Sequence, residues 1–199
     1  DMSILRSLPN MTVMSPCDPV ESKKITRAAY EHDGPVYVRL GRNREPVLHT
    51  SDYEFQIGRA VVMRAGNDAT IVSTGAVTKI ALDAAIQLAE SGIGVRVINM
   101  HTIKPIDSDI LLRATAETRA MVSVEEHSVI GGLGSAVSEV LAEGPGYIPF
   151  KRIGIPDTFC YGVGSQEFQL ERQGVSARAI EDSVVMLLEG QPVAIETRS

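Results

Sequence analysis

From Ala60 onward, short apolar runs alternate with stretches whose apolar residues recur at helical spacing. The run Ala69–Thr74 is almost continuously apolar, as expected of a strand buried on both faces. Gly75 opens a predicted helix to about residue 91, with Val77, Ile80, Ala81, Ala84, Ala85 and Leu88 on one stripe and Gly92 and Gly94 ending it. The same rhythm predicts strands at 95–98, 120–125 and 150–155. Helices follow at about 108–117, 132–142, 166–172 and 176–189, the last with Ser176 as its N-cap. An earlier strand at 60–63 is followed by the turn signal Gly66-Asn67-Asp68, which predicts a hairpin and an antiparallel strand at the sheet edge.

Upstream, Thr12–Ser15 is a short β-prone run ended by Pro16. Asp18-Pro19 supplies an N-cap and a first-turn proline for a helix over 19–31, with Val20, Ile25, Ala28 and Ala29 toward its apolar side. Asp33-Gly34-Pro35 stops it, and Val36–Leu40 reads as a strand. Residues 43–56 have no clear period and read as a linker. The fold class is therefore α/β: a doubly wound, mostly parallel sheet with one antiparallel edge strand, preceded by a partial βαβ unit of a second α/β domain. The expected division is 1–42, a linker at 43–56, and a main domain over 57–192. The opening at Asp1, with Leu8-Pro9-Asn10 close behind, reads like the middle of a protein.

Composition narrows the partners. A net charge of −6 argues against nucleic acid, which needs a basic face. No apolar stretch reaches about 18 residues, so no membrane span is expected. Two distant cysteines, Cys17 and Cys160, read as buried or partly buried thiols of a reducing, cytoplasmic compartment. The four histidines, His32, His49, His101 and His127, show no HxxxH or HExxH spacing, so no metal is expected.

Four segments are candidates for chemistry. Gly131-Gly132-Leu133-Gly134 lies between a strand and a helix, where backbone N–H groups can bind an anion or small residues can let the helix approach the sheet. Glu125, Glu126 and His127 end a strand, where open α/β sheets place ligands, although neighbours along a strand point to opposite faces. In Thr102-Ile103-Lys104-Pro105-Ile106-Asp107 the proline holds Lys104 extended and Asp107 can cap the next helix, leaving Lys104 as a surface or interface charge. His101 just before it reads as packed or surface. Arg42, after the strand 36–40, has the guanidinium geometry for bidentate phosphate binding; Arg39 and Arg44 compete for that role.

The segments TIKPID (102–107) and EEHSVIGGLGSAV (125–137) resemble the C-terminal domain of the transketolase family of thiamine diphosphate enzymes. Residues 8–42 resemble the last third of that family's pyrimidine-binding domain, and 57–189 its C-terminal domain. The likeness is strongest to transketolase itself, including the smaller subunit of split transketolases. Deoxyxylulose phosphate synthases and E1 β subunits of 2-oxoacid dehydrogenases share the architecture, and Ile153-Gly154-Ile155-Pro156-Asp157 has a flavour of the latter. The resemblance implies transfer of a two-carbon ketol unit between sugar phosphates, with thiamine diphosphate and Mg²⁺ in the complete enzyme. It implies that the diphosphate-binding GDG…N pattern, absent from this sequence, belongs to another domain, and that the activating glutamate and histidines precede Asp1. Asp1-Met2 resembles the end of the family's HQ-x-x-E-D stretch. On this reading the chain holds no catalytic residue, binds no cofactor alone, and needs an N-terminal part or subunit, with a homo-oligomer or dimer expected. Arg42 takes the place of the arginine that binds the sugar phosphate. A non-catalytic assembly or ligand-binding domain is the reading from a different class.

Overall fold

The computed structural model describes residues 1–42 and 45–190. The main sheet has five strands: β3 (Val61–Arg64), β4 (Ala69–Ser73), β5 (Val95–Asn99), β7 (Met121–Ser128) and β8 (Phe150–Ile155). Their spatial order is β3-β5-β4-β7-β8. β4 runs parallel to β5 and to β7, and β7 runs parallel to β8. β3 is the antiparallel edge strand, as its turn signal predicts. The predicted hairpin does not form: β3 pairs with β5, Val61 opposite Asn99, rather than with β4. The turn docks on Gly94 instead. The Asp68 N–H donates to the Gly94 carbonyl at 2.8 Å, and Asp68 Oδ2 accepts from the Gly94 N–H at 2.7 Å. That pairing carries the chain past the start of β5, so β4 lies on its far side.

Alternation along β4 feeds two cores, Ile71 toward one face and Val72 toward the other. On the first face, α3 (Thr78–Glu90) and α7 (Ala177–Leu188) pack Ala81, Ala84, Ala85, Leu88, Ile180 and Val184 against Val95, Val97, Val122 and Val124. On the second, α4 (Ser108–Glu117) and α5 (Leu133–Glu143) bring Ile110, Leu111, Ala114, Leu133 and Val137 onto Val72, Ile98 and Met121. Helices on both faces make the sheet doubly wound. A short α6 (Gln166–Arg172) precedes α7, and side chains of Ser165 and Ser176 cap the two.

The N-terminal unit carries a helix that the sequence pattern does not predict, α1 (Met2–Ser7), N-capped by the Asp1 side chain. Then come β1 (Thr12–Met14), α2 (Pro19–Glu31) and β2 (Val36–Val38), with β1 and β2 parallel. Asp18 caps α2 as expected, but the buried residues are Glu21 and Ile25 rather than Val20. A further difference is β6 (Thr102–Lys104), a strand that the apolar pattern does not predict. It pairs antiparallel with β1 and gives that strand a second neighbour. Met2 and Val13 also join the second core of the main sheet. The N-terminal unit is thus fastened by a ladder and by apolar packing. Residues 45–56 form neither helix nor strand; Asn43, Arg44 and the 191–192 end of the expected main domain lie outside the described residues.

Candidate functional site

Four strands of the two sheets bring their C-terminal ends to one crevice, the place where open α/β sheets bind ligands. Ser15 follows β1, Arg39 to Arg42 follow β2, Thr74 follows β4, and Glu126 lies near the end of β7. With Met2, Gly75, Ala76 and Gln166 they line a cavity of about 300 Å³. Gly75 has φ +66°, the left-handed region that favours glycine, and a Cβ there would meet Ser15 Oγ at 2.7 Å.

The arginines have different duties. Arg39 Nη1 donates to both Asp1 carboxylate oxygens, at 3.0 and 2.8 Å, and Nη2 donates to the Glu126 carbonyl at 2.9 Å. Tyr37 adds a hydroxyl bond to Asp1 Oδ2 at 2.7 Å. Arg39 is therefore a tie between the start of α1, β2 and β7. Arg42 is exposed and lines the cavity. The third candidate, Arg44, lies outside the described residues. Glu126 accepts from Gln166 Nε2 at 2.5 Å. Burial, and after it the Glu126 carboxylate, pushes the Glu45 carboxyl up from its ordinary value.

The glycine motif has an internal explanation. Glu125 and His127, two apart on β7, face the same side, and Glu125 is fully buried against the N-terminus of α5. Its Oε2 accepts from the Leu133 N–H at 2.7 Å and its Oε1 from the Gly134 N–H at 2.8 Å. The anion at this helix N-terminus is the chain's own carboxylate. Burial raises the Glu125 carboxyl to about 7, against the two N–H bonds that favour its charged form. His127 Nδ1 is bonded to the Ser128 carbonyl at 2.8 Å and lies 3.7 Å from Glu125, and burial draws the imidazole below its ordinary value. Glu126 lines the cavity, and with His127, Asp1 and Arg39 it lines a neighbouring one, whereas Glu125 lines neither, so the three residues do not converge on one ligand.

Lys104 is not a simple surface charge. Its ammonium donates to the carbonyls of Arg6, at 2.9 Å, and Leu8, at 2.5 Å, at the end of α1. Asp107 caps α4 through the Ile110 N–H at 3.2 Å and also accepts from the Ala60 N–H at 2.9 Å. His101 is fully buried, its Nδ1 bonded to Thr102 Oγ1 at 2.8 Å. Cys17 is buried as expected, whereas Cys160 is exposed, on an irregular segment between β8 and α6. Ser15, Thr74 and Gln166 belong to the cavity without any local motif to mark them.

Residues 58–180 match the transketolase C-terminal domain, and residues 1–46 match the transketolase pyrimidine-binding domain. The chain belongs to the transketolase family. A 6-deoxy-6-sulfo-D-fructose transketolase subunit of Clostridium sp. (strain MSTE9) is 42% identical over 181 residues, covering 90% of this chain and 55% of that protein. A subunit of the apulose-4-phosphate transketolase of Phocaeicola vulgatus is 38% identical, covering 91% and 59%. A solved structure described as a split gene transketolase, inactive beta4 tetramer, superposes with a TM-score of 0.88 at 42% identity, covering 96% of this chain and 61% of that one. The transketolase of Campylobacter jejuni shares the fold, with a TM-score of 0.73. The chain thus spans just over half the length of these split-subunit relatives, and its alignment is to transketolase-type portions of the C-terminal kind.

Transketolases depend on thiamine diphosphate, and the cavity of this chain does not fit that cofactor by itself. Its lining offers two arginines and one carboxylate, Glu126, already engaged by Gln166. A Mg²⁺-diphosphate draws on anionic oxygen ligands, and Glu126 is the single carboxylate in this lining.

Proposed function

We propose that this chain is the C-terminal portion of a transketolase-type transferase, and that it helps move a two-carbon ketol unit between sugar phosphates in an enzyme using thiamine diphosphate and Mg²⁺. The reading puts the cofactor's diphosphate, its metal and its activating carboxylate on an N-terminal part or partner subunit. The chain's own task is to hold the substrate's anionic end through Arg42, to close the cavity with Ser15, Thr74 and Gln166, and to scaffold a homo-oligomer. No catalytic residue is assigned within it. The observation that carries the reading is Arg42 at the mouth of a crevice built from the ends of β1, β2, β4 and β7.

The relatives described for sulfofructose and apulose phosphate point to ketoses ending in a phosphate or sulfonate. Arg42 pairs with either group in the same bidentate manner. A second reading rests on the 40% identity to the deoxyxylulose phosphate synthase of Geobacter sulfurreducens, of which this chain covers 25%. The chain combined with its N-terminal counterpart should transfer the ketol unit from a phosphorylated ketose to an aldose. Turnover of a 2-oxoacid donor alone would favour the synthase or E1 type. No thiamine dependence under any combination would favour a non-catalytic domain. The isolated chain should bind thiamine diphosphate negligibly in calorimetry; tight stoichiometric binding would refute the division of labour.

A further inference from the structure

Away from the cavity, the 45–53 segment folds back over the start of α2 and meets the end of β5. Three residue types with metal affinity come together there: Cys17, Glu21 and His49, all buried, with ligand atoms within 4.8 Å of one another. Positions 17, 21 and 49 match no metal-ligand spacing along the sequence, and only the return of the segment unites them. We propose that Cys17, Glu21 and His49 form a buried site for a thiophilic divalent cation of the zinc type, which fastens the 45–53 segment to α2.

Geometry supports it. Cys17 Sγ lies 3.6 Å from His49 Nδ1. Zinc bonds of about 2.3 Å to sulfur and about 2.0–2.1 Å to nitrogen, at a tetrahedral angle, set those two atoms about 3.6 Å apart. His49 is only 7% exposed, so its imidazole is held inside beside Cys17. Asn99 is also fully buried, and its Oδ1 is without a hydrogen bond while its Nδ2 donates to Cys17 Sγ at 3.3 Å and to Glu21 at 2.8 Å. An amide N–H on the sulfur is the outer contact that stabilises a metal-bound thiolate.

Charge points the same way. Asp18 and Glu21 are two carboxylates in the interior, and the His49 imidazole approaches both, Nδ1 at 3.5 Å from Asp18 Oδ2 and Nε2 at 4.0 Å from Glu21 Oε1. On binding, the S–H bond breaks, the metal–sulfur bond forms, and one proton leaves to solvent. Soft sulfur with imidazole and carboxylate selects zinc or cobalt over magnesium.

The test is a titration of the full chain carrying Cys160→Ser with Co²⁺, followed by Zn²⁺. One Co²⁺ per chain is expected, with a thiolate charge-transfer band that Zn²⁺ abolishes. Cys17→Ser should remove the band, and His49→Gln should weaken binding by about tenfold or more while far-UV circular dichroism stays unchanged. Should Cys17→Ser fail to fold, His49→Gln decides. Absence of a thiolate band, or Co²⁺ affinity indifferent to His49→Gln, would overturn the site.

Discussion

The Glu125 carboxylate occupies the space that a side chain at position 132 would need: a Cβ built on Gly132 lies 1.9 Å from Glu125 Oε2. The same Cβ would lie 2.8 Å from His127 Nδ1. The glycine motif and the acidic strand end are one device, in which a strand carboxylate seats the first turn of α5.

Gly132→Ala should therefore be costly. Overpacking against a buried carboxylate should destabilise by about 2–3 kcal/mol. Gly146→Ala is the control, because a Cβ there meets nothing nearer than 3.9 Å and should change stability by less than about 0.5 kcal/mol. Chemical denaturation of both variants checks the pair. Equal effects would remove the steric account.

Glu125 also predicts a pH signature. Its folded carboxyl titrates at about 7, above its ordinary value of 4.5. A raised carboxyl binds protons better when folded, so its contribution is fully present below the ordinary value and is lost as pH rises to about 7. The stability of the wild type relative to Glu125→Gln should fall between about pH 4.5 and 7, by a few kcal/mol at most, at about 1.4 kcal/mol per pKa unit. Thermal or denaturant unfolding of both proteins across that range reads the difference. A flat or rising difference would show that the two N–H bonds outweigh burial.

Lys104 holds the end of α1 through the Arg6 and Leu8 carbonyls. Lys104→Met should cost about 1–2 kcal/mol and speed amide exchange in Met2–Ser7 before it affects β4 or β7. Uniform exchange changes across the chain would contradict a local cap.

Much of this was legible in the sequence, for identifiable reasons. Ala69–Ser73 is buried throughout, and a continuous apolar run reports that without ambiguity. Asp18, Asp107 and Ser176 announced their helices because caps are local chemistry. The β3–β5 pairing was hidden because it depends on how Asp68 docks on Gly94, a contact across 26 positions. β6 was hidden because its partner β1 lies some ninety residues away, and three residues before a proline look like a turn. Glu21 was read past because an acidic residue in a first turn is ordinarily solvated; here Asn99 and Tyr53 hold it inside. The cavity was only half visible. Arg42 follows a readable strand, whereas Ser15, Thr74 and Gln166 reach it through tertiary packing alone.

The central claim is that Arg42 holds the substrate's anionic end, and steady-state kinetics of Arg42→Ala test it most directly. The measurement uses the chain combined with its cofactor-binding counterpart, with a phosphorylated and an unphosphorylated ketose donor. Loss of a charge-assisted contact predicts that kcat/KM for the phosphorylated donor falls by about tenfold to a hundredfold, chiefly through KM, while the unphosphorylated donor is little changed. An equal loss for both donors, or none for either, would contradict the account.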